Sequence, residues 1–203
     1  MNKATFWLAV LLGIGGARAV SVGADNARLI RQSTSSDCGP AALATLLTFY
    51  LDVPANEAEM MRLANANPTT GTSLRGLESA ALAKGCDADS FRMDFAMLQA
   101  QLKEFGTPVV VRMLNPEPHF AVVLDAGNQE IGLADPAVGN ILMSRKAFLK
   151  RWLIPGAKDG YVFVAARPDG YVNASQLAAA RRDLARVRRA LQTTRAPLIS
   201  AIR

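Results

Sequence analysis

Residues 33–50 read STSSDCGPAALATLLTFY. Five polar residues lead into Cys38-Gly39-Pro40. From Ala41 to Tyr50 the pattern is helical and nearly every side is apolar, which predicts a helix buried on all faces. Such a helix must lie inside a shell of other elements, so this stretch sets the centre of the fold. Pro40 falls in the first turn, where a missing amide costs nothing, and Asp37 or Ser36 stands where a cap belongs. Cys38 is thereby placed at a helix N-terminus.

Working outward, Asn56–Ala66 and Ser73–Ala83 read as two further helices separated by a loop at Pro68–Gly71, and Asp94–Glu104 as a fourth with Asp94 as its cap. From Pro108 the pattern changes to short runs at 108–113, 119–124, 130–134 and 161–165, several rich in valine. They are punctuated by Asn115-Pro116, Gly127-Asn128, Asp135-Pro136 and Pro155-Gly156, so they predict strands of a mostly antiparallel sheet. Ser144–Leu153 reads as a helix before the last strand, and a tail helix runs from about Asn173 to Pro197 at the latest. Helices first and sheet second make the class α+β.

The 203 residues are half apolar, which suits one well-buried core. Two cysteines exclude a disulfide scaffold, and one histidine with Cys38 and Cys86 cannot supply the four ligands of a structural zinc site. No cofactor and no metal are expected. Of 23 basic and 17 acidic residues, seven arginines and Asp183 fall within 173–203, so the rest of the chain holds 16 of each. The body is neutral and the tail carries the net charge of +6. Leu177, Ala180, Leu184, Val187 and Leu191 recur at helical spacing with arginines between them, which predicts an amphipathic helix docked on the body. Its basic face would suit a peripheral membrane or an acidic partner. No aromatic residues interleave the arginines after Tyr171, so no nucleic acid is expected as a partner.

At the start, Met1-Asn2-Lys3, an apolar run from Ala4 to Gly16 and then Ala17-Arg18-Ala19 have the pattern of a signal peptide cut after Ala19. Gly13, Gly15 and Gly16 break the run short of the roughly 20 residues a membrane span needs. The expectation is a periplasmic or secreted protein with three parts: signal peptide 1–19, folded domain 20–170 and basic tail 171–203.

A thiol at a helix N-terminus sits where the helix dipole favours the thiolate, which is the nucleophilic form. A nucleophile needs a base, and His119 is the single histidine. If 119–124 and 130–134 form a hairpin turning near Gly127-Asn128, paired positions sum to about 255, which sets His119 opposite 136, give or take one. Asp135 is then its cross-strand neighbour, whereas Asp125 lies about 20 Å along the strand at roughly 3.3 Å per residue. Asp135 would hold the imidazole in its useful tautomer and stabilise the imidazolium. The oxyanion of a tetrahedral intermediate needs donors, and the Cys38 amide and the side chain of Gln32, six residues earlier, are the candidates. Cys86, in the turn after a helix, reads as a packing residue; a bond between it and Cys38 would silence such a site.

Gln32, Asp37-Cys38-Gly39, the alanine-rich helix, the Gly71-Thr72-Ser73-Leu74 loop, His119-Phe120-Ala121-Val122 and Asp135-Pro136 together resemble the bacteriocin-processing, double-glycine-leader cysteine peptidases, relatives of papain. The resemblance runs from about Arg31 to Ala165 and implies a papain-like fold. It also implies Cys38 as nucleophile, His119 as general base and acid, Asp135 as orienter and Gln32 as oxyanion donor. Cleavage after a double glycine in an exported protein or peptide is a further implication. Members are often joined to an export ATPase with membrane spans. This chain has neither spans nor a phosphate-binding Gly-Lys-Ser/Thr loop, so it looks like a stand-alone secreted version serving secretion machinery, similar to those beside functional-amyloid export systems. Two other readings use the same residues: a non-catalytic module that binds the substrate as a chaperone, and an amidase or acyltransferase working through a thioester.

Overall fold

The structure is a computed structural model that describes residues 28–200, with side chains to 189; the expected signal peptide lies outside the described residues. Its frame is a six-stranded antiparallel sheet of β1 (Asp87–Asp94), β2 (Val109–Met113), β3 (His119–Ala126), β4 (Glu130–Asp135), β5 (Gly139–Ser144) and β6 (Asp159–Ala166), in the order β1-β6-β2-β3-β4-β5. Strand alternation sends successive side chains to opposite faces. Val110, Val122, Leu124, Ala134, Leu142 and Phe163 therefore line one face, and Val109, Val111, Val123, Leu133, Ile141 and Val162 the other. Each face is covered. The first meets α1 (Cys38–Thr45), α3 (Leu74–Ala83) and α6 (Ala174–Ser200), with α2 (Glu57–Leu63) packed on α1 and α3, and the second meets α4 (Phe95–Glu104) and α5 (Arg145–Trp152). The α+β class and the papain-like arrangement expected from sequence are what the structure has, with helices on both faces of the sheet.

α1 is buried along its whole length, as a helix apolar on all sides must be. Past Thr45 it widens into a π-helical turn over Leu46–Tyr50, where the Leu47 carbonyl accepts from the amides of both Leu51 and Val53. Thr45 anchors the junction: its Oγ1 donates to the Ala41 carbonyl at 2.8 Å and accepts from the Ile30 amide at 2.9 Å. Asp94 caps α4 as expected, accepting from the Met97 amide at 2.8 Å.

The cap expected at the start of α1 is different. Asp37 is the preceding residue, but its side chain makes no cap bond. Two causes are visible: its backbone, at φ −92° and ψ 7°, is not in the extended conformation of a cap, and the third helical position is Pro40, which has no amide to offer. The tail helix also differs at its far end, running to Ser200 rather than stopping by Pro197; losing one amide donor bends a long helix more readily than it ends it. Its apolar stripe, Leu177, Ala180, Leu184 and Val187, is buried in the same core as α1.

Candidate active site

Three elements converge at one end of the sheet. α1 presents Cys38 from its first turn, β3 begins with His119, and β4 ends with Asp135. Gly39 allows the approach: a Cβ there would lie 3.2 Å from the Phe120 ring and 3.3 Å from Thr72 Cβ, so the helix start closes tightly on β3. The hairpin pairs Val122 with Ala134 and Val123 with Leu133, then shifts by one at a bulge before Asp125 pairs with Gly132. Paired positions sum to 256 on the His119 side of the bulge, one more than the sequence reading, and Asp135 still meets His119. Its Oδ1 lies 2.9 Å from His119 Nε2.

Asp135 is held in turn by the Ala137 amide, which donates to the same Oδ1 at 2.9 Å, and the carboxylate is buried. With Nε2 taken, the other ring nitrogen, Nδ1, is left for Cys38, to which His119 is hydrogen-bonded. Burial alone would push His119 below its ordinary value. The hydrogen bonds to Asp135 and Cys38 and the charges on both outweigh it, and the imidazole is raised to about 9. For Cys38 burial pushes the thiol up, but the bond to His119, the amides of Phe120 and Gly39 and the imidazolium charge more than offset it, so the thiol lies below its ordinary value. The pair therefore favours thiolate and imidazolium. Such a site can attack an electrophilic carbon and then deliver a proton to the group that leaves.

The segment before α1 carries Gln32. Its backbone amide donates to the Pro136 carbonyl at 3.2 Å, which places it beside Asp135. Its side-chain Nε2 donates one proton to the Thr34 carbonyl at 2.8 Å and keeps a second, while Oε1 is buried without a partner. All four residues singled out in the sequence thus belong to this end of the molecule, three of them in one hydrogen-bonded chain. Sequence reasoning missed the amides of Phe120 and Gly39 that point to the sulfur, since backbone groups leave no residue signature. It also missed the inward turn of Asp37, whose signal was available in Pro40.

Cys86 is distant in character. It is buried and free, in the turn between α3 and β1, and burial pushes its thiol up, the opposite direction from Cys38. Among the described residues no group of three or more His, Cys, Asp or Glu is placed to hold a metal, and no helix is long and apolar enough to cross a membrane.

Residues 26–156 match the model of the Peptidase C39 family. An uncharacterized protein of Methanothermobacter marburgensis is 40% identical over 122 residues, which is 60% of this chain and 80% of that protein. The probable functional amyloid protease FapD of Pseudomonas aeruginosa is 30% identical over 133 residues, 62% of this chain, and the chain spans only 57% of FapD's length. Among solved structures, the peptidase domain of Streptococcus ComA, a bi-functional ABC transporter of a quorum-sensing pathway, superposes with a TM-score of 0.59 at 25% identity, over 69% of this chain and 98% of that domain.

Proposed function

The chain belongs to the Peptidase C39 family and is a cysteine peptidase, and from that premise we propose that Cys38 is its nucleophile, His119 its general base and acid, Asp135 the orienter of His119, and Gln32 with the Cys38 amide the donors to the oxyanion. One observation carries the reading: His119 bridges Cys38 and Asp135, with Nε2 to Oδ1 at 2.9 Å.

The Cys38 thiolate attacks the scissile carbonyl carbon, forming a C–S bond while the carbonyl π electrons move to oxygen. The oxyanion is met by the Cys38 amide and the second proton of Gln32 Nε2. As the intermediate collapses, imidazolium Nδ1–H gives its proton to the departing nitrogen, the C–N bond breaks, and a thioester on Cys38 remains. Neutral His119 then takes a proton from water, whose oxygen attacks the thioester. Breaking the C–S bond releases the acid and restores thiolate and imidazolium.

The proposed substrate is an extended segment of an exported peptide or protein, cut after a pair of glycines. The resemblance in the motifs supports it, as do the similar proteins, the probable functional amyloid protease FapD and the peptidase domain of the ComA transporter. Action outside the cytoplasm alongside secretion machinery is part of the same proposal and rests on residues 1–19.

The test joins cleavage to labelling. A synthetic peptide with a central Gly-Gly is expected to be cut by the protein and left intact by Cys38→Ala and His119→Ala, both folded by circular dichroism. Iodoacetamide is expected to modify Cys38 ahead of Cys86 near neutral pH, and to lose that preference in His119→Ala. Undiminished cleavage by Cys38→Ala, or equal and slow labelling of both thiols, would overturn the assignment. Labelling without cleavage of any amide, with turnover of thioesters instead, would make it an acyltransferase.

A further inference from the structure

Asp37 is a buried acid immediately before the nucleophile, and its side chain does not cap the helix. Both ends of Thr34 are fastened to it. Thr34 N–H donates to Asp37 Oδ2 at 3.0 Å, and Asp37 N–H donates to the Thr34 carbonyl at 3.3 Å. That carbonyl is the acceptor that holds Gln32 Nε2 at 2.8 Å. The outer side of the turn is closed by Ser36, whose Oγ donates to the Pro68 carbonyl at 2.7 Å and lies 3.3 Å from Asp37 Oδ1. Seen from Gln32, its backbone is tied to Pro136 and its side chain to a turn that Asp37 clamps.

We propose that Asp37 is a positioning residue that clamps the 34–37 turn so that Gln32 keeps one amide proton aimed at the oxyanion beside Cys38. The proposal rests on the peptidase reading above. A buried carboxylate costs free energy unless its oxygens are satisfied. The reason for this buried acid lies in what its oxygens hold, the Thr34 amide at Oδ2 and Ser36 Oγ near Oδ1. Without the carboxylate the Thr34 amide loses its acceptor, the turn opens, and the Thr34 carbonyl no longer fixes Gln32. The inference concerns the oxyanion alone. The Cys38–His119 pair is built by α1, β3 and β4, and the Asp37 side chain is bonded to Thr34 and Ser36 instead.

The distinction gives the test two independent readouts. A peptide ending in Gly-glycinal, an aldehyde, reports the oxyanion donors because the hemithioacetal it forms with Cys38 places an oxygen where the oxyanion sits. Alkylation by iodoacetamide makes no oxyanion and reports the thiolate. In Asp37→Ala, kcat for the Gly-Gly peptide and affinity for the aldehyde should fall together by about 10- to 100-fold, short of the roughly 100- to 1000-fold that loss of a donor itself costs. KM and the alkylation rate should stay within about twofold. The double variant with Gln32→Ala should be no worse than Gln32→Ala alone, because both act through one group. Additive losses, or a parallel fall in alkylation rate, would overturn the proposal. Asp37→Asn fills the same space and keeps one acceptor oxygen for Thr34. Its kcat is expected within about threefold of the unsubstituted protein, and a value as low as that of Gln32→Ala would overturn the proposal even if the alanine variant failed to fold. If the unsubstituted protein neither cleaves the peptide nor binds the aldehyde, the peptidase mechanism falls with it; if it does both and Asp37→Ala does them equally well, only the role of Asp37 is lost.

Discussion

His119 illustrates how one side chain couples stability to activity. Its imidazole is raised from about 6.5 to about 9 despite burial, because Asp135 and Cys38 both favour the protonated ring. A raised basic group stabilises the fold fully below its unfolded value, and this contribution fades as pH climbs through about 9. Cys38 has the opposite sign: its lowered thiol contributes above its unfolded value and the contribution is lost as pH falls through the folded one. Turnover needs both charges, so kcat/KM for the Gly-Gly peptide should be bell-shaped, its acid limb set by Cys38 and its alkaline limb near pH 9 by His119. Asp135→Asn keeps an acceptor for Nε2 but removes the charge that holds the proton. The alkaline limb should move toward neutrality by about one unit or more while the acid limb moves less. An unmoved alkaline limb in that variant would mean the proton on His119 is held by something other than Asp135.

Among the elements, those with an internal signal were legible in the sequence and those defined by their neighbours were not. The four earlier helices, the helix before the last strand and the valine-rich strands stood out by period, and Asp94 by its capping position. β1 was invisible because DADSFRMD alternates poorly and is largely exposed; it is an edge strand, held by its ladder to β6 and by Arg92 to Asp159 at 2.7 Å. β5 was missed for a different reason. Its six residues follow the Asp135-Pro136 turn signal closely, and only pairing with β4 makes them a strand. At the site, the meeting of Cys38, His119 and Asp135 could be read from a helix start and a hairpin register. Donors on the backbone and the clamp at Asp37 could not, because they depend on where loops fold back. The same dependence gives a prediction at this scale. α3 approaches the end of α2 so closely that a Cβ at Gly76 would lie 2.5 Å from the Ala64 carbonyl oxygen, a backbone atom. Gly76→Ala should therefore destabilise by about 1–3 kcal/mol in urea unfolding, although alanine is the better helix former by about 1 kcal/mol. A gain in stability would show that the two helices have room to part.

Across the whole molecule, α6 is part of the core and much of its charge is spent on the body. Arg28 reaches Asp183 at 2.9 Å and Gln176 at 2.7 Å, Arg181 donates to the Leu124 carbonyl at 2.9 Å, and Arg188 meets Glu130 at 2.8 Å. Leu184 packs where a Cβ on Gly132 would collide with it at 2.4 Å, so glycine in β4 makes the seat for that leucine. Leu184→Ala should cost about 2–5 kcal/mol of stability, read as a fall in melting temperature, with the iodoacetamide rate at Cys38 unchanged under native conditions. A loss below about 0.5 kcal/mol would mean the helix is laid on the surface. The strand order has a consequence in time. β6, residues 159–166, lies between β1 and β2, which precede it by some fifty to seventy positions. A chain emerging in order from its site of synthesis holds two strands with a gap between them until residues 159–166 have appeared. The sheet closes only on a late arrival, and β3 and β4, which carry His119 and Asp135, gain their complete support at that moment. The strand order thus sets an order of assembly, in which the strands carrying His119 and Asp135 are braced only after the most distant pairing in the sheet has formed.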